Sequence, residues 1–166
     1  PARLRAYGTS KRNGETAMLS CKNGMVIRTS WLYSSYGNNF VKSMMRLMNE
    51  RDELRVVYDQ VGTPTYGTDL AGVILRIIEP GAGTFIPGIY HYSNEGIASW
   101  YDFAHEIREI TQASCRIIPI ETEEYPLPAR RPAFAVLSKK KIRQQYMLQI
   151  PHWKSGLQRC IEKMKR

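Results

Sequence analysis

Apolar positions follow two rhythms along this chain. Short solid runs, Met25-Val26-Ile27, Leu54 to Val57, Gly88 to Ser93 and Arg116 to Ile120, predict buried strands. Between them, apolar residues recur at helical spacing. Phe40, Met44, Leu47 and Met48 predict a helix over 40–51, with the methionines as core. Leu70 to Ile78 predicts a second, capped by Thr68 or Asp69 and ended by Pro80-Gly81. Trp100, Phe103, Ala104, Ile107 and Ile110 share one face of a third, which Ser99 caps and which runs through Thr111. Ser138 is the expected cap of a helix over 139–146. Pro151 is the expected start of the last helix, through Lys163. Upstream, Leu4 to Cys21 reads as an amphipathic helix with Ala6, Ala17 and Leu19 on its apolar side, stopped by Lys22-Asn23-Gly24. Ser34 to Asn39, Asp59 to Thr65 and the proline-rich Tyr125 to Pro132 read as loops or stiff connectors.

Strands alternating with helices throughout predict an α/β fold with a largely parallel sheet. No linker, repeat or low-complexity stretch divides the 166 residues, so 1–166 is expected to form one unit. Arg28-Thr29-Ser30-Trp31-Leu32-Tyr33 follows the first strand at once. A polar and aromatic stretch after an apolar strand is how a parallel strand opens into a ligand crevice.

Charge adds less. The formal net charge is +9 and the pI about 9.6. The basic residues are spread out, apart from Lys139-Lys140-Lys141-Ile142-Arg143 and the tail Lys163-Met164-Lys165-Arg166. Both runs look helical, and no nucleic-acid-binding motif accompanies them, so no nucleic-acid partner is expected. No apolar run approaches the roughly 20 residues of a membrane span, and no membrane partner is expected either. Cys21, Cys115 and Cys160 are odd in number and far apart, which predicts free thiols and a cytoplasmic setting. His91, His105 and His152 do not fall at metal-ligand spacings, and no metal is expected.

The candidate chemistry sits in the first helix. Tyr7-Gly8-Thr9-Ser10-Lys11 places a phenol and an ammonium at i and i+4, one turn apart on one face. An ammonium beside a phenol favours the phenolate, and such a tyrosine can act as general acid/base in carbonyl–alcohol chemistry. Alone, the spacing is weak, since a packed Tyr and a solvated Lys give the same pattern.

An ordered series strengthens it. Tyr7 to Lys11 with Gly14-Glu15 is followed by Arg28 to Tyr33 with Gly37-Asn38-Asn39-Phe40-Val41. Then come Asp59-Gln60-Val61-Gly62-Thr63-Pro64-Thr65, Gly88-Ile89-Tyr90-His91, Trp100-Tyr101-Asp102-Phe103-Ala104 and Arg131-Pro132. From Tyr7 to about Leu157 the series resembles the dTDP-4-dehydrorhamnose reductase family of extended short-chain dehydrogenases/reductases. The resemblance implies a Rossmann-like fold and hydride transfer from NADPH or NADH to the C4 ketone of dTDP-6-deoxy-L-lyxo-4-hexulose, giving dTDP-L-rhamnose. It implies that Tyr7 protonates the developing alkoxide. Lys11 would favour the Tyr7 phenolate and hydrogen-bond the nicotinamide ribose. Trp31 matches the tryptophan that packs against the bound nucleotide-sugar. Arg28, Thr29 and Ser30 would lie beside the nicotinamide, Gln60, Gly62 and Thr63 along the sugar, and Arg130 and Arg131 toward the diphosphate.

The sequence also departs from the family pattern. The Gly-rich strand–turn–helix that seats a dinucleotide pyrophosphate is not in this chain; Gly81-Ala82-Gly83 follows a helix and reads as a turn. Neither is the hydroxyl residue that precedes the family's catalytic tyrosine. The chain opens Pro1-Ala2-Arg3 and is expected to be the C-terminal portion of such an enzyme, inactive without its dinucleotide-binding half. An exposed helix flank and sheet edge predict a homodimer or a rearrangement; a monomer by sedimentation at tens of micromolar would count against it. Two other readings stay open: another extended short-chain epimerase or dehydratase, and a regulatory relative such as the methionine adenosyltransferase regulatory subunit. A basic binding module has only the charge in its favour.

Overall fold

The computed structural model describes residues 2–79, 85–125 and 131–165. Gly81-Ala82-Gly83, Arg130 and most of the proline-rich connector lie outside the described residues.

The predicted alternation is present. Helix α1 spans Ala2–Leu19, and strand β1 Met25–Arg28 follows its turn. After β2 (Leu32–Tyr33) come α2 (Phe40–Glu50) and β3 (Glu53–Val57). Two short strands, β4 (Val61–Gly62) and β5 (Thr65–Tyr66), lead into α3 (Gly67–Ile78). Next are β6 (Gly88–His91), β7 (Ala98–Ser99), α4 (Trp100–Thr111) and β8 (Arg116–Ile120). A 3-10 turn over Thr122–Glu124, β9 (Phe134–Ala135), α5 (Lys140–Gln145) and α6 (Trp153–Met164) complete the described chain.

Pairing is mostly parallel. β1 pairs with β6 (Met25 opposite Gly88), β3 with β8 (Glu53 opposite Arg116) and β2 with β5. β4 sits between β9, parallel, and β7, antiparallel. The main core lies where α2, α4 and α6 meet β3 and β8. Val41, Met48, Leu54, Phe103, Ile107, Ile117, Leu157 and Ile161 are buried in it. Phe103 and Ile107 lose all exposure, which stabilises by roughly 2 kcal/mol each. Ile77, Tyr90, Tyr92, Ile142, Tyr146 and Leu148 form a second cluster, under β6. Met48 is buried and Met44 packs against the main core, as the helical spacing predicts.

Ser99 caps α4 as expected, and more fully than its own hydroxyl implies. Its Oγ accepts from the Asp102 amide at 3.0 Å while Asp102 Oδ2 accepts from the Ser99 amide at 2.8 Å. Three other helix starts differ from expectation. Helix α3 begins at Gly67 after Tyr66, with no side-chain cap. Thr68 and Asp69 therefore lie inside it, and the Asp69 carboxylate is engaged by Asn94 and Arg159 instead. Helix α5 begins at Lys140, and Ser138 does not cap it. Helix α6 begins at Trp153, not Pro151, because Pro151-His152 is held extended beside Glu95. The Pro151 carbonyl accepts from the Glu95 amide at 3.0 Å and the Trp153 amide donates to the Glu95 carbonyl at 2.9 Å. His152 Nδ1 then caps the helix by accepting from the Lys154 amide at 3.3 Å.

The expected apolar stripe on α1 is not buried. Residues 6–20 are exposed except for the half-buried Glu15, with Ala6, Ala17 and Leu19 on the outside. The segment is too polar to hold a core face, and an ion pair ties it to the sheet instead. Cys21 is exposed, and Cys115 and Cys160 are buried; all three are free thiols. Among the described residues, no helix is long and apolar enough to cross a membrane.

Candidate active site

Tyr7, Lys11 and Glu15 fall at successive i+4 positions and form a stripe down α1. Lys11 Nζ stands 5.4 Å from the centre of the Tyr7 ring. Tyr7 is 64% exposed. Glu15 anchors the stripe. Its two carboxylate oxygens accept from Arg28 Nε at 2.7 Å and Arg28 Nη2 at 2.6 Å. Arg28 is the last residue of β1, so this fork sets the rotation of α1 about its own axis. The fork thereby holds the Glu15 end of the stripe at the C-terminal end of β1. The Arg28 hydrogen bonds hold the Glu15 carboxyl below the usual carboxylate range, and Glu15 in turn raises the guanidinium. A groove of about 410 Å³ runs between helix and strands, lined by Lys11, Arg12, Glu15, Arg28 and Ile89 among others.

Beyond Arg28 the strand end is braced by hydroxyls. Thr29 Oγ1 donates to Thr65 Oγ1 at 2.9 Å, and Thr65 Oγ1 donates to the Ser30 carbonyl at 2.7 Å. Ser30 Oγ donates to the Thr63 carbonyl at 2.7 Å. The Thr65 amide donates to the Trp31 carbonyl at 3.1 Å. Thr63 and Thr65 are fully buried. The brace holds Trp31 in the left-handed region, with φ 47°. For a bulky residue this costs on the order of 1–3 kcal/mol and persists only where the surroundings over-determine it.

The Trp31 indole stacks on Trp100, the first residue of α4, with ring centroids 3.5 Å apart and planes 9° from parallel. Phe40 leans on Trp100 at 4.7 Å, and the Arg131 guanidinium carbon is 5.9 Å from the Trp100 ring. Gly62 is pressed against Trp31: a Cβ there would lie 2.7 Å from Cε2 and 2.9 Å from Nε1. Only glycine leaves room for the ring.

The sequence candidates thus divide into groups. Tyr7 and Lys11 lie together on one face. Trp31 and Arg131 lie at Trp100, and Gly62 lies against Trp31. Thr29, Ser30 and Thr63 form the brace between strands, and Arg28 is committed to Glu15. Gln60 is buried, its Nε2 donating to Thr122 Oγ1 at 2.9 Å. Trp100 and Glu15 carry more of this geometry than their sequence context shows. Glu15 was legible as the next i+4 position after Lys11. Trp100 has no such signal, because its partner lies far away in sequence.

A model of the RmlD substrate binding domain matches residues 1–166. The chain is 42% identical over 157 residues to the spore coat polysaccharide biosynthesis protein SpsK of Bacillus subtilis, covering 94% of this chain and 53% of that protein. The crystal structure of a dTDP-4-dehydrorhamnose reductase from Bacillus anthracis in complex with NADP superposes with a TM-score of 0.86 at 40% identity, covering 95% of this chain and 54% of that one. Its counterpart from Clostridium acetobutylicum gives 0.86 at 40%, covering 97% and 56%. The chain spans a little over half the length of each of these relatives. With its parallel strand pairs, its flanking helices and a family match over its whole length, this chain belongs to the RmlD substrate-binding domain family.

Proposed function

We propose that this chain is the substrate-side portion of an NADPH- or NADH-dependent dTDP-4-dehydrorhamnose reductase. The observation that carries the reading is the exposed Tyr7–Lys11 pair, on the helix that the Glu15–Arg28 fork ties to the end of β1. The named reductases among its relatives support the same reading.

Tyr7 is the proton donor. A ketone taking hydride becomes an oxyanion, and an open phenol can neutralise it as the charge develops. The Lys11 ammonium lies over the Tyr7 ring, 5.4 Å from its centre, on the same face of the helix. Trp31 is the wall against which the nucleotide-sugar packs, and Arg131 is the group that meets the diphosphate; its exposure beside Trp100 supports that role. Toward the cofactor, this chain fits the nicotinamide end only. Lys11 supplies a cation for the ribose hydroxyls, whereas the chain holds no Gly-rich turn for the pyrophosphate. The dinucleotide supplies the hydride when bound.

The test is NADPH and NADH consumption by the whole protein with dTDP-6-deoxy-L-lyxo-4-hexulose. Tyr7→Phe is expected to lower kcat by about 10²–10⁴-fold, the usual worth of a general acid. Its exposure predicts an unchanged melting temperature. No turnover by the unmodified protein, or full activity in Tyr7→Phe, removes the reading.

A further inference from the structure

We infer that Trp100 is a positioning residue for substrate binding, holding Trp31 in the one orientation in which its ring forms the wall of the site. The inference rests on the reading of Trp31 as a substrate-binding residue and goes beyond it by assigning the group that sets the ring.

Three constraints converge on Trp31. Its backbone sits at φ 47°, a conformation a tryptophan leaves unless held. The Thr65 amide fixes its carbonyl, and Thr65 Oγ1 fixes the carbonyl before it. These bonds set where the side chain starts but not where its ring lies. The ring is set by Trp100 on one side and Gly62 on another. Trp100 is itself well anchored. It opens α4 beside the Ser99–Asp102 capping box, and Phe40 packs against it at 4.7 Å. Both indoles remain partly exposed, as a ligand-facing wall requires.

A pre-set aromatic wall removes the loss of rotamer freedom on binding that a loose tryptophan would suffer. Losing Trp100 therefore weakens binding more than it slows chemistry, because no reacting atom touches it. The separation predicted is in KM rather than kcat.

The test uses the whole protein, with dTDP as the calorimetric probe and the indole exciton couplet in circular dichroism as the structural readout. Trp100→Leu keeps apolar bulk but removes the stack. It is expected to weaken dTDP binding about tenfold, to raise KM to a similar degree and to leave kcat within about twofold. Trp100→Phe restores a ring and is expected to recover affinity to within about threefold. Both abolish the couplet, as does Trp31→Phe. Gly62→Ala pushes the same ring without touching Trp100 and is expected to weaken dTDP binding in the same direction, so the inference does not hang on one variant folding. If Trp31→Ala weakens dTDP binding while Trp100→Leu and Gly62→Ala do not, the positioning role is overturned and the reading of Trp31 stands. If Trp31→Ala itself leaves dTDP binding unchanged, that reading falls, and the positioning role falls with it.

Discussion

Replacing Asn94 with alanine should cost this chain about 4 kcal/mol of stability, more than any change at its charged surface. Asn94 is fully buried. Its Nδ2 donates to Asp69 Oδ2 at 2.7 Å and to the Pro151 carbonyl at 3.2 Å, and its Oδ1 accepts from the Tyr66 amide at 2.8 Å. One amide thereby joins the start of α3, the strand before it and the approach to α6. The bond to the carboxylate contributes about 1.5–3 kcal/mol and each neutral bond about 0.5–1.5. Alanine also leaves a backbone amide and a carbonyl buried without their partner, which keeps the total near the middle of that sum. Arg159 reaches the same carboxylate at 2.9 and 2.7 Å, but its side chain is 49% exposed. Arg159→Ala should therefore cost only about 1 kcal/mol, with Asn94 still in place. Urea denaturation followed by circular dichroism measures both. At a slope of about 2 kcal/mol/M, Asn94→Ala should move the midpoint by about 2 M and Arg159→Ala by about 0.5 M. Equal shifts, or an Asn94→Ala loss below about 1 kcal/mol, would refute the assignment of this amide as the hub.

Burial raises the Cys160 thiol to about 11, well above the ordinary thiol range. The folded state therefore favours the protonated thiol, and this contribution is complete at neutral pH and lost as pH rises from roughly 8.5 toward about 11. Cys160→Ala should flatten the fall in stability over that window, and an unchanged pH profile would count against it. At pH 8 a thiol reagent should modify exposed Cys21 quickly, and Cys115 and Cys160 only on unfolding; rapid reaction of all three in the native state would contradict the burial. Ser99→Ala removes one half of the α4 capping box and should cost about 1 kcal/mol, read as a lowered melting temperature with faster exchange of the Asp102 amide. No change in either would mean the cap contributes nothing.

What the chain shows in its letters depends on distance. Strands β1, β3, β6 and β8 and helices α2 and α4 are legible to within a residue or two, because each carries a sustained apolar period. The strands β2, β4, β5, β7 and β9 are two residues each and have no period to read; tertiary pairing alone defines them. The starts of α3, α5 and α6 shifted for the same reason. Pro151 looks like a helix start until Glu95, distant in sequence, holds it extended. Within the site, the Tyr7–Lys11 neighbourhood is local and follows from spacing. The clamp of Glu15 on Arg28 and the stack of Trp31 on Trp100 join separate elements, and neither has a sequence signature. Three scattered apolar residues suggest an amphipathic α1, but its polar majority leaves it outside the core.

The two long parallel pairings interleave. β1 waits for β6 and β3 waits for β8, yet β3 lies between β1 and β6, and β6 between β3 and β8. A break anywhere between Val57 and Gly88 separates both pairs at once, so among the described strands no cut in that stretch yields two halves that each keep a pair. On the ribosome, β3 emerges well before Ile120 does, and its apolar Leu54, Val56 and Val57 have no neighbour strand among the described residues until then. The nascent chain carries that unpaired apolar edge while the residues from Tyr58 to Ile120 are made, and over that interval it is open to non-native association.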